Sequence, residues 1–115
     1  FPKVKIELKP YTLLGTLKGQ KILVNTTPVG MQNFLEGVSP VDFEAIKTLD
    51  DDAFVYDIVY NPVKTRLIKY AQDCNKRYVG GLDMLVYQAQ KAFEIWTGQV
   101  PDVAAMKIAA LESLA

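Results

Sequence analysis

The stretch Gly80–Gln88, with the sequence GGLDMLVYQ, decides the fold of this chain because it sets a glycine pair directly before a strong helical pattern. From there, apolar residues recur at the 3.6-residue spacing of an amphipathic helix, at Leu82, Leu85, Val86, Ala89, Phe93 and Trp96. We therefore predict a helix from Leu82 to Trp96 whose apolar face lies in the core. The glycine pair would let the backbone approach another group closely at the start of this helix.

The opposite face of the predicted helix carries Met84, Gln88 and Ile95, each about a turn or two from the next. A flexible thioether and a neutral amide near a helix N-terminus, where backbone N–H groups are free, suit the wall of a ligand site. The same side chains could instead fill a contact between domains. Spacing alone favours that second interpretation.

Composition limits the classes of function. The 115 residues suffice for one domain or part of one, and the 13 basic residues balance the 13 acidic ones. Nothing therefore favours binding to nucleic acid or to an anionic membrane, and no apolar run reaches membrane-spanning length. A single cysteine, Cys74, excludes an internal disulfide and fits a reducing, cytoplasmic compartment. The absence of histidine excludes imidazole metal ligands and histidine bases, and we predict no metal site.

Predicted strands alternate with predicted helices, which indicates an α/β fold with a parallel sheet. The predicted strands are Val4–Leu8, Lys21–Asn25, Ala53–Val59 and Arg77–Val79. The predicted helices are a short one with Ser39 as N-cap, one from Thr65 to Asn75, Leu82–Trp96, and Val103–Leu114, while Tyr11–Lys18 fits a short helix or a loop. In such a fold, loops at the carboxyl ends of strands bind ligands.

Two polar segments allow two interpretations each. The hydroxyls of Thr26 and Thr27 would contact a ligand at the end of a strand, or Asn25 and both threonines would only satisfy backbone groups of a turn. The acidic run Asp50–Asp52 invites a metal site, but consecutive side chains point apart and no further ligand spacing supports a cage. A solvated turn is the favoured interpretation of that run.

Several motifs taken together resemble one family. The motifs are Asn25–Met31 (NTTPVGM), Tyr56–Pro62 (YDIVYNP) with Lys64–Thr65, Gly81–Gln88 (GLDMLVYQ), and Trp96–Gly98 with Pro101–Val103. In this order and spacing they are similar to the C-terminal part of shikimate dehydrogenase, over nearly everything from Ile22 onward. Residues 1–115 would then form the C-terminal portion of a Rossmann-like dinucleotide-binding domain. Its fold would be a partial parallel sheet with flanking helices, the C-terminal helices packing on the sheet.

The resemblance implies an NADPH-dependent oxidoreductase that reduces 3-dehydroshikimate to shikimate in aromatic amino-acid biosynthesis. Thr27 would lie on the nicotinamide side of the cofactor, while Ile58, Gly81 and Met84 would border the nicotinamide ring. Tyr60 and Gln88 would contact the substrate, which reverses the preference that spacing gave for Gln88 and Met84. The alternatives are a quinate/shikimate dehydrogenase that uses NAD, and a non-catalytic α/β interaction module.

The sequence also departs from the family pattern. It lacks the glycine-rich cofactor loop, the basic motif that receives the 2′-phosphate, and the substrate domain with its catalytic Lys and Asp. We therefore expect no catalytic residue in this chain, and its start at Phe1 suggests that sequence upstream is missing. Gly80 stands where many relatives have Asp, and Asp83 stands where Gly is usual.

Those departures have a topological consequence. Of a sheet ordered 3-2-1-4-5-6, the chain would retain strands 3, 4, 5 and 6. Val4–Leu8 would then lack its neighbour, and the strand that starts near Ile22 would be a bare, apolar edge. Unpaired edges of that kind associate, so we expect the 115-residue chain to self-associate.

Overall fold

A computed structural model describes residues 3–10 and 14–115, and its sheet has three parallel strands in the order β1-β2-β3. The strands are β1 (Ile22–Asn25), β2 (Phe54–Asp57) and β3 (Arg77–Val79). The helices are α1 (Phe43–Lys47), α2 (Arg66–Asp73), α3 (Gly81–Thr97) and α4 (Val103–Ser113). This arrangement confirms the predicted α/β class and the predicted neighbours in the sheet.

The core lies between the sheet and the two helices that connect its strands. Ile46 of α1, Val55 of β2 and Leu67 of α2 are fully buried together. The predicted start of α2 is confirmed, because Thr65 is its N-cap and the Thr65 hydroxyl accepts a hydrogen bond from the N–H of Ile68. Each helix thus returns the chain to the same end of the sheet, as parallel strands require.

Strand β1 is an edge of this sheet. Its apolar residues Ile22 and Val24 are exposed, Ile22 by 65% of its surface. The bare, apolar edge predicted from the sequence is therefore present in the structure. None of the helices in the described part of the chain is long and apolar enough to cross a bilayer.

The prediction of a strand at Val4–Leu8 is wrong. The segment has no regular secondary structure and its apolar side chains are exposed, Leu8 by 93%. Alternation specifies which face a strand would bury, but a strand also needs a partner for its backbone groups, and no described strand pairs with this segment. In the segment Tyr11–Lys18, residues 11–13 lie outside the described residues, and residues 14–18 form neither helix nor strand.

The first helix begins later than predicted. Asp42, not Ser39, holds the N-cap position of α1. The Ser39 hydroxyl instead donates to the carbonyl oxygen of Val41 at 2.6 Å and accepts from the Val41 N–H at 3.3 Å. Serine side chains compete for nearby backbone groups in this way, and the local turn delays the helix.

The apolar face of α3 is only partly in the core, contrary to the prediction. Leu82 and Val86 are buried, whereas Ala89, Phe93 and Trp96 are exposed, Trp96 by 80%. The helix also packs against α4, which has no buried residue of its own, and Lys107 of α4 forms an ion pair with Asp83 in the first turn of α3. A pair of helices packed only on each other leaves most of both surfaces in water. The apolar side chains in the later turns of α3 therefore keep their helical spacing but stay exposed.

The acidic run is a solvated, ion-paired turn, as the sequence favoured. The Lys21 ammonium lies 3.1 Å from an oxygen of Asp50 and 2.7 Å from one of Asp52. Hydrogen bonds from Lys21 lower the pKa of both carboxyl groups, and the two carboxyl groups raise the pKa of Lys21. Within the described part of the chain, no cluster of acidic or thiol groups could hold a metal ion.

Candidate functional site

A cavity of about 430 Å³ opens at the carboxyl ends of β1 and β2. Loops that follow neighbouring parallel strands converge at this edge of a sheet, where open α/β proteins bind ligands. The residues that line the cavity include three predicted site residues, Thr27, Ile58 and Tyr60, together with Met31, Gln32 and Asn61. The structure thus brings half of the predicted site residues into one cavity.

Gly81 brings the start of α3 against the end of β2. A Cβ at this position would lie 2.5 Å from the carbonyl carbon of Ile58, and closer still to its oxygen. Only a glycine fits there, since real Cβ atoms do not approach backbone so closely. The Gly81 N–H donates to the carbonyl oxygen of Val59 at 3.2 Å, which fixes the contact. This is the close approach that the glycine pair predicted.

Met84 and Gln88 lie on α3, one and two turns after Gly81, and are not among the residues that line the cavity. Met84 is 36% exposed and Gln88 is also exposed. The structure therefore places these two predicted site residues on a free helix surface that begins beside Ile58. Any ligand that reaches them must extend beyond the cavity.

A buried hydrogen-bond network joins the strand ends that border the cavity. Asn25 and Asp57 are opposite each other in the register of β1 and β2, and the Asn25 side-chain N–H donates to Asp57 Oδ1 at 3.0 Å. Asp57 is fully buried, and it also accepts from the Val59 N–H at 3.0 Å and from the Thr65 hydroxyl at 2.7 Å. One carboxyl group therefore joins both strand ends to the start of α2.

The same network resolves the two interpretations of Asn25 in favour of the turn. Its Oδ1 accepts from the Thr27 N–H at 3.0 Å and from the Thr27 hydroxyl at 2.7 Å. Asp57 was missed as a site residue in the sequence analysis. The available signal was a polar residue at or near the carboxyl end of each of two predicted strands, because parallel strand ends meet at one edge of the sheet.

The electrostatic character of the cavity is neutral. Of the described residues, those lining it carry hydroxyl, amide and apolar side chains but no Asp, Glu, Lys or Arg. The groups that have a shifted pKa lie outside the cavity. Burial raises the pKa of the Cys74 thiol, and the Asp83 carboxylate raises the pKa of the Lys107 ammonium. Such a cavity can bind and orient a ligand with an apolar ring and neutral polar groups.

Comparisons with known proteins point to one family. Residues 81–111 match the family described as the Shikimate 5'-dehydrogenase C-terminal domain. The shikimate dehydrogenase (NADP(+)) of Archaeoglobus fulgidus is 44% identical over 106 residues, which cover 91% of this chain and 38% of that protein. The chain spans about a third of the length of the curated relatives it matches.

Solved structures agree with the sequence comparison. Shikimate 5-dehydrogenase from Thermus thermophilus, in complex with NADP(H) and shikimate, superposes with a TM-score of 0.75 at 32% identity, over 88% of this chain and 37% of that one. Quinate dehydrogenase from Corynebacterium glutamicum, in complex with NAD, gives a TM-score of 0.71 at 33% identity, over 82% of this chain and 32% of that one.

Proposed function

We propose that this chain, a homologue of the C-terminal part of the shikimate dehydrogenases, supplies the nicotinamide side and part of the substrate side of an NADP-dependent oxidoreductase. The reaction would interconvert 3-dehydroshikimate and shikimate in the cytoplasm. The observation that carries the proposal is the cavity at the ends of β1 and β2, whose lining residues Ile58 and Val59 meet the start of α3 at Gly81. The match to the Shikimate 5'-dehydrogenase C-terminal domain begins at that same glycine.

The chain's residues would bind and orient the nicotinamide end of the cofactor. When bound, NADPH supplies the hydride that reduces the ketone of 3-dehydroshikimate. Ile58 and Gly81 would hold one face of the ring through a side chain and a backbone, and Met84 would cover it from the exposed surface of α3. This chain contains no glycine-rich turn for the pyrophosphate, so the remainder of the cofactor site would come from other sequence.

Tyr60 and Gln88 would bind the substrate hydroxyls. Tyr60 lines the cavity with a phenol, and Gln88 carries an amide that can both donate and accept. Tyr60 lies in the loop after β2 and Gln88 lies on α3, and Gly81 brings these two parts of the chain together at Ile58, so a substrate held between them would sit beside the nicotinamide ring. Neither side chain supplies a general base, and proton transfer would fall to residues outside this chain.

A chimaeric enzyme tests the proposal. Residues 22–115 would replace the matching segment of the Archaeoglobus fulgidus enzyme, and the oxidation of shikimate and of quinate would be assayed with NADP and with NAD. We expect shikimate oxidation with NADP. A folded chimaera that binds NADP but oxidises neither substrate would overturn the proposal, while a preference for quinate with NAD would move it to the alternative enzyme.

Gln88→Ala in that chimaera should lower kcat/KM. It removes the amide without touching the buried Leu82 and Val86, so folding should not change. Unpaired substrate hydroxyls cost about 1–3 kcal/mol, which corresponds to roughly a 5- to 150-fold loss. Lys91→Ala, one turn further along the exposed surface, is the matched control and should leave kcat/KM unchanged. Full activity with unchanged KM in Gln88→Ala would make Gln88 a surface residue.

The second candidate, an interaction module, is favoured by the exposed edge of β1. Ile22 and Val24 present apolar side chains beside unpaired backbone groups, which favours pairing with a second copy of the chain. We expect sedimentation of the 115-residue chain to show dimers or larger species. Val24→Lys, which places a charge on the edge, should shift the distribution to monomer, whereas the distant control Ile108→Lys on α4 should not. A monomer at high concentration would contradict this prediction.

A further inference from the structure

The Asp57 carboxyl group determines how the Asn25 side chain is oriented. Asp57 is fully buried and accepts hydrogen bonds from the Val59 N–H and the Thr65 hydroxyl. The Thr65 hydroxyl donates to Asp57 Oδ2, and its own oxygen accepts from the N–H of Ile68. Because Asp57 Oδ1 is an acceptor, the Asn25 amide turns its N–H group toward it, at 3.0 Å, and it also reaches the carbonyl oxygen of Val29 at 3.4 Å.

This orientation leaves only an acceptor, Asn25 Oδ1, facing Thr27. The Thr27 hydroxyl lies 2.7 Å from that oxygen and has one proton, which it donates there. The Val29 N–H donates to the Thr27 hydroxyl oxygen at 3.3 Å and occupies one of its two lone pairs. What Thr27 can still offer to a ligand in the cavity is its second lone pair.

We propose that Asp57 and Asn25 are positioning residues that fix the Thr27 hydroxyl as a hydrogen-bond acceptor toward the cavity. The inference rests on the proposed function and assigns Thr27 a ligand group, the primary amide NH₂ of the nicotinamide carboxamide. A hydroxyl with a free proton would bind amide and ketone alike, since both have a carbonyl oxygen. When its proton is already donated to Asn25, the Thr27 hydroxyl can only accept a hydrogen bond, so it favours the amide, which donates an N–H, over the ketone, which cannot donate.

Two small probes that differ only in that donor test the inference. Nicotinamide carries NH₂ where 3-acetylpyridine carries CH₃, and each can be titrated into the ¹⁵N-labelled 115-residue chain while backbone amide shifts of the cavity loops are followed by NMR. We expect nicotinamide to bind about three- to tenfold more tightly, the effect of one net hydrogen bond. The ratio of the two affinities is the readout, because a loss of folding does not alter selectivity among the molecules that remain folded.

Variants separate the hydroxyl from the residues that orient it. Thr27→Val, which keeps the shape, should bring the ratio close to one, and Thr27→Ser, which keeps the hydroxyl, should preserve it. Asn25→Ala should also bring the ratio close to one while the Thr27 hydroxyl is still present, since its proton is then free to donate to either carbonyl. The dispersion of the amide spectrum shows whether Asn25→Ala is folded, and the two Thr27 variants decide the matter if it is not.

Three outcomes would overturn the inference. They are equal affinities of the unchanged chain for both probes, an unchanged ratio in Thr27→Val, and shifts from nicotinamide that do not involve the loops around Thr27 and Ile58. None of them bears on whether the chimaera oxidises shikimate, so the inference and the proposed function can fail separately.

Discussion

Asp57→Ala should destabilise the folded chain by about 3–5 kcal/mol, because it leaves three donors without an acceptor in a buried place. The donors are the Asn25 amide, the Val59 N–H and the Thr65 hydroxyl, and each unpaired group costs about 1–3 kcal/mol before the surroundings relax. A loss of that size is a large fraction of the roughly 5–15 kcal/mol that is typical of a whole domain. Urea denaturation followed by circular dichroism measures it.

Asp42→Ala is the matched control for that measurement. Asp42 is also an aspartate at a structurally defined position, the N-cap of α1, but it is exposed and its side chain makes no capping hydrogen bond. We expect its free energy of unfolding to change by less than about 0.5 kcal/mol, as for most surface substitutions. Equal losses in the two variants would show that the network around Asp57 contributes nothing specific.

Gly81→Ala should cost about 3 kcal/mol, at the upper end of what an added methyl group costs in a well-packed place. The atoms that the new Cβ would meet belong to the backbone of Ile58 and Val59, which cannot rotate away as a side chain could. Either α3 or the end of β2 must move. In the chimaera we expect activity to fall as well, because the same displacement separates the two walls of the proposed nicotinamide site.

Gly15→Ala provides the comparison. A Cβ at Gly15 would meet nothing within 4 Å, and its backbone does not lie in the left-handed region. The substitution should leave the midpoint of urea denaturation unchanged or raise it slightly, since alanine restricts the unfolded chain. If Gly81→Ala changed the midpoint of urea denaturation as little as Gly15→Ala, α3 would not approach the end of β2 as closely as described.

Local pattern alone determined most of the secondary structure. The apolar runs at Ile22 and Phe54 specified strands, although only the second is largely buried, and Thr65 specified the start of α2 through a cap that needs only its own first turn. The glycine pair identified where two backbones meet, because a missing Cβ is visible in the sequence itself. The order of motifs was also sufficient to predict the similarity to shikimate dehydrogenases that the comparisons report.

Only the tertiary structure decided which apolar faces are buried and which distant side chains form hydrogen bonds with each other. The alternation in Val4–Leu8 and the apolar stripe through Phe93 and Trp96 are both genuine patterns, yet Leu8 and Trp96 are exposed, because burial also needs a second surface that covers the side chain. The pairing of Asn25 with Asp57 was equally invisible, since the two are 32 residues apart and meet only through the register of the sheet. A sequence records what each residue can bind, and the fold decides which partner comes within reach.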